Sequence, residues 1–125
     1  MTETRPEPVP HTCTASELFE LLWSTLADMI GSTATAALLQ RSIKRAAEQK
    51  VDLHGLAIVR EQFGYRYTVP ESWSTHEDRP VQALRQLVRE LWPILSDLTG
   101  PIISRRLRQV PLLVRCGLIP EDDAA

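Results

Sequence analysis

Residues 31–45 read GSTATAALLQRSIKR, and the fold follows from what this stretch does at its glycine. Upstream, Thr14 and Glu17 stand at the spacing of a capping box, and Leu18, Leu21, Leu22, Leu26, Met29 and Ile30 recur at helical intervals. This predicts a first helix that ends at Gly31, because glycine accepts the positive φ that closes helices. Ser32 or Thr33 can cap a second helix. Its apolar face would be Ala36, Leu39, Ile43 and Ala47, with Leu38 and Ala46 alongside and Arg41, Lys44, Arg45 and Lys50 on the far side. The small Ala34, Ala36 and Ala37 would let a neighbouring helix approach closely, and the short connection at Gly31 makes a helical corner.

The same glycine raises a DNA-reading alternative over residues 27–45. Ala27 lies four residues before it and Ala37 six after, as a helix-turn-helix requires, and a β-hairpin follows as the wing does in a winged helix. Against this, the first helix runs unbroken for about four turns, whereas the motif's leading helix is short. The residues after the glycine, STATAA, also carry no Arg, Lys, Asn or Gln where base-reading side chains should project. The wing would offer Arg60 and Arg66 but also Glu61, which phosphate repels. Packing is therefore the preferred reading, and nucleic acid is not the expected partner.

Downstream, LAIVREQFGYRYTVP (56–70) alternates Phe63, Tyr65, Tyr67 and Val69 with Gly64, Arg66 and Thr68, a period of two. It predicts a hairpin with strands at 56–60 and 65–69, turning near Gln62 to Gly64, with Gly64 supplying a positive φ. A lone hairpin is marginal in water, so this one must lie on the helices or pair with another chain. Asp78 can cap a third helix with Pro80 in its first turn and Val81, Leu84, Leu87, Val88 and Leu91 as its stripe. Pro93 predicts a kink or restart before an end near Gly100. A shorter helix from Pro101 would turn Ile102, Ile103, Leu107 and Val110 inward, Pro111 would interrupt it, and residues 112–118 would add a turn.

The expected fold is mainly α: a compact bundle of about four helices, with one β-hairpin inserted between helices 2 and 3. Residues 14–119 form this single domain, with the hairpin at about 56–69. Residues 1–13 are read as a flexible proline-rich leader and 120–125 as an acidic tail.

The apolar share of 43% suits a globular chain, and charge interrupts every apolar stretch well short of a bilayer span. The opening MTETRPEPVP lacks the basic start and apolar core of a signal peptide, and Cys13 and Cys116 define no disulfide framework. A cytoplasmic location is expected, with no membrane partner. Twelve arginines against two lysines point to a GC-rich bacterial genome. Net charge is −2, so any pull on an anionic partner must be local.

Catalytic and metal chemistry find little support. His11, His54 and His76 are scattered without ligand spacing, and no glycines cluster into a phosphate loop. In STHED (74–78), His76 has acidic neighbours, but partners in a triad come from distant positions, and a polar loop before a cap is the preferred reading. No enzyme activity and no cofactor are expected. Arg105, Arg106, Arg108 and Arg115 have no acid between Ile102 and Pro120; a solvated face, or pairing with Glu121, Asp122 and Asp123 of the tail, is the preferred reading over a dock for an anionic partner. Trp73, in a polar loop, either folds back over the hairpin's end or anchors a partner. The expected function is a non-enzymatic protein-interaction or regulatory module, with a protein partner or a second copy as its target. Its contact surface would use the hairpin edge with Trp73, Tyr65, Tyr67, Arg105, Arg106 and Arg108. The alternative is a small-molecule sensor with an apolar pocket under Phe63, Tyr65 and Tyr67.

Overall fold

Thr14 opens the first helix through the capping box that its spacing predicts. Its hydroxyl accepts from the Glu17 amide at 3.1 Å, and its own amide donates to Glu17 Oε1 at 2.9 Å. The computed structural model describes residues 14–51 and 53–119, so the leader and tail assigned to 1–13 and 120–125 lie outside the described residues. Helix α1 (Ala15–Glu48) is broken at Gly31, whose φ of 87° and ψ of 160° belong to a region that essentially only glycine populates. The corner expected at this glycine is therefore present, dividing α1 into an N-terminal and a C-terminal arm.

The N-terminal arm buries Ala15, Leu18, Phe19, Leu22 and Leu26. The C-terminal arm buries Thr35, Ala36, Leu38, Leu39, Ser42 and Ala46, a face rotated from the expected one: Ala47 is exposed and Ile43 only half-buried. The two buried hydroxyls are satisfied within the helix. Thr35 Oγ1 donates to the Gly31 carbonyl and Ser42 Oγ to the Leu38 carbonyl, each at 2.8 Å.

Strands β1 (Ala57–Glu61) and β2 (Gly64–Thr68) pair antiparallel with Glu61 opposite Gly64, so the turn is the two residues Gln62 and Phe63. This corrects the expected role of Gly64. It belongs to β2, and the positive-φ glycines among the described residues are Gly31, Gly55, Gly100 and Gly117. The hairpin lies on both arms of α1. The Tyr67 ring meets Phe19 edge-on at 4.9 Å, while Gln40 Nε2, on the other arm, donates to the Ile58 carbonyl at 3.1 Å.

A 3-10 turn (Glu71–Ser74) then turns Trp73 inward before α2 (Asp78–Thr99). Asp78 is the first helical residue rather than the cap, and its carboxylate accepts from Gln82 Nε2. Helix α2 passes through Pro93 without restarting. The bond that Pro93 cannot make falls on the Arg89 carbonyl, and Pro93 itself is exposed. Gly100, at φ 64° and ψ −151°, separates α2 from α3 (Pro101–Arg108), and α4 (Pro111–Arg115) follows. Ile103, Ser104 and Leu107 point inward, but Ile102, expected beside them, is 69% exposed. Helices α1 and α2 enclose the core, which Leu113, Cys116, Leu118 and Ile119 close at the C-terminal end. Among the described residues, no helix is long and apolar enough to cross a membrane.

Candidate functional site

The aromatic residues singled out in the sequence divide between core and surface. Trp73 is 2% exposed with its ring 6.1 Å from Phe19, so of its two readings the fold takes the one in which it folds back. Tyr67 sits between Phe19 and Trp23, 5.4 Å from the latter. Burial, and secondly the charge of Glu20, raises its phenol above the ordinary value. These rings pack together beneath Tyr67, while an open pocket of about 360 Å³ lies at the hairpin tip between Ser32, Thr33 and residues 60–65. Tyr65 is half-buried, and Phe63 stands 94% exposed at the hairpin tip.

The arginines divide as well. Arg105 and Arg106 project from the outer face of α3, whereas Arg108 is half-buried and brings its guanidinium to 5.6 Å from the centre of the Trp92 ring. Trp92 borders a pocket of about 360 Å³ between α2 and the C-terminal turn. Its floor includes the buried, apolar Val88 and Leu118, and its rim carries Arg85, Arg89 and Trp92. Arg85 and Arg89 also line an adjoining open groove of about 690 Å³ that runs past Gln82 and Gln86 toward Trp73.

One interaction joins the two walls of this pocket. Arg85 donates from Nε and Nη2 to the Cys116 carbonyl at 3.1 and 3.0 Å, clipping the C-terminal turn to α2. Gly117 makes that approach feasible, since its φ is +78° and an added Cβ would sit 3.2 Å from Arg85 Nε. Arg89, one turn beyond Arg85, is exposed and makes no ion pair among the described residues. Its neighbour Glu90 is engaged by Arg45 at 3.4 Å. From Glu77 to Arg115 the chain holds seven arginines against four acids, Glu77, Asp78, Glu90 and Asp97, so this stretch is basic although the whole chain is not.

The sequence reading overlooked Arg85 and Arg89. A signal existed in their spacing of four on the polar side of the α2 stripe. What periodicity could not supply was the C-terminal turn that makes a pocket of them.

The other motifs form no constellation. His54 and His76 are exposed, and His11 lies outside the described residues. Beside His76, the Thr75 hydroxyl donates to the Ser72 carbonyl at 2.7 Å. No group of three or more His, Cys, Asp or Glu that could hold a metal occurs among the described residues. Ala37, which a helix-turn-helix would pack inward, is exposed, and Arg66 of the would-be wing pairs with Glu61 at 2.9 Å. No protein-family model, curated protein or solved structure matches the chain.

Proposed function

We propose that this domain is a non-enzymatic protein-interaction module that docks a partner through the basic, aromatic face formed by α2, α3 and the C-terminal turn. The observation that carries this reading is the meeting of Arg85, Arg89 and Arg108 around Trp92 over an apolar floor. Arginine and tryptophan are the side chains most enriched among interface hot spots, particularly where they border a desolvated pocket. The exposed Arg105 and Arg106 extend the same charge across α3, where they would steer an acidic partner into place. We place the module in the cytoplasm, where two unpatterned cysteines would remain reduced.

The test is capture of partners from the native host's lysate, with and without nuclease treatment, using the full chain and an Arg89→Glu/Arg105→Glu/Arg106→Glu variant. A protein retained by the parent and lost by the variant supports the reading. A monomer that retains nothing overturns it, as does retention that vanishes with nuclease.

A further inference from the structure

We infer that the pocket between α2 and the C-terminal turn takes an acidic segment of a partner protein, seating one apolar side chain on Val88 and Leu118 with neighbouring carboxylates on Arg85 and Arg89. This rests on the interaction-module reading and names the chemistry of the partner. A volume of about 360 Å³ leaves ample room for one leucine- or phenylalanine-sized side chain, since about 150 Å³ suffices for benzene, and the adjoining groove of about 690 Å³ gives the flanking chain a path along α2.

The charge arrangement selects for carboxylates. Arg85 is held in place by its two bonds to the Cys116 carbonyl, and its Nη1 hydrogens have no acceptor among the described residues. A guanidinium fixed in this way loses little entropy when it binds an anion. Arg89 stands one helical turn away, roughly 6 Å at the Cβ atoms, so two carboxylates bracketing an apolar residue can be met together. Nucleic acid fits less well. Arg108 lies over the Trp92 ring and competes for the surface on which a base would stack, and the floor is apolar. The five arginines of this face also fall short of the roughly six to ten phosphate contacts that drive strong salt-dependent binding.

The experiment titrates the full-length protein, labelled for NMR, with three probes. The first is a ten-residue peptide of glutamate and serine around one central leucine. The second is the same peptide with leucine replaced by serine, and the third is a single-stranded oligonucleotide of equal charge. The leucine peptide is expected to bind, with amide shifts centred on residues 85–92 and 117–118. Its dissociation constant should rise about tenfold both on loss of the leucine and in Arg89→Glu, the size of one charge-assisted or apolar anchor. Arg89 makes no ion pair among the described residues, so this variant keeps the fold, verified by its unchanged melting curve.

Equal binding of the two peptides, tighter binding of the oligonucleotide at these residues, or indifference to Arg89→Glu overturns the proposal. If the peptide fails while a lysate protein is still retained and is lost in Arg105→Glu/Arg106→Glu, the pocket assignment falls and the interaction module stands. If both fail, both readings fall.

Discussion

Replacing Gly31 with alanine isolates the device that folds α1 into two arms. Its φ of 87° and ψ of 160° are open to glycine and strained for any L-residue, at a cost of about 1–3 kcal/mol. Against this, alanine removes about 0.4–1 kcal/mol of unfolded-chain entropy. No atom lies within 4 Å of the Cβ that would be added, so no clash contributes and the loss is conformational. The net expectation is destabilisation by about 1–2 kcal/mol. Gly64→Ala is the matched control: its added Cβ also meets nothing within 4 Å, but its φ is not positive. Only the entropic gain applies there, so Gly64→Ala should stabilise by a few tenths to about 1 kcal/mol. Urea unfolding followed by circular dichroism reads both. With m about 1–3 kcal/mol/M, the midpoint should fall by roughly 0.3–2 M for Gly31→Ala and rise for Gly64→Ala. Equal midpoints for Gly31→Ala and the parent, at unchanged m, would refute the argument that glycine is required at the corner.

Trp73→Ala removes a fully buried indole from beside Phe19 and should destabilise by about 3–5 kcal/mol, lowering the urea midpoint sharply; a shift typical of a surface residue would place Trp73 outside the core. Thr14→Ala removes the hydroxyl half of the capping box, leaving the backbone amide of residue 14 to donate to Glu17, and should cost about 1 kcal/mol, detectable as a lower Tm with faster amide exchange in the first turn of α1. Because burial raises the Tyr67 phenol above the ordinary tyrosine value of 10.0, the unfolded chain loses that proton first. The corresponding stability is present below pH 10 and is lost as pH rises through the folded value. Urea midpoints at pH 9 and 11 should therefore converge in Tyr67→Phe relative to the parent, and an identical alkaline loss in both proteins would remove Tyr67 as its source.

The local devices of this chain were legible in its residues because each acts over a few positions. Thr14 and Glu17 cap at a spacing of three, Gly31 turns a helix, Pro101 and Pro111 open α3 and α4, and the stripe from Val81 to Leu91 needs only the helical repeat. Gly64 shows where such reasoning runs out. A tight hairpin suggested a glycine with positive φ, but the register set by pairing β1 against β2 closed the turn at Phe63 and left Gly64 in the strand.

Periodicity tells which positions share a face, but not which face another element will cover. That choice belongs to packing. Buried Thr35 and Ser42 displaced Ala47 from the core face of the second arm, because hydroxyls bonded to their own helix enter a core at little cost. Ile102 was left outside where Ile103 and Leu107 turned in, and Trp73 left its polar loop to meet Phe19. The candidate site depends most on tertiary structure. Arg85 and Cys116 lie 31 residues apart, and only the closure of the C-terminal turn onto α2 converts two solvent-side arginines and a tryptophan into the rim of a pocket.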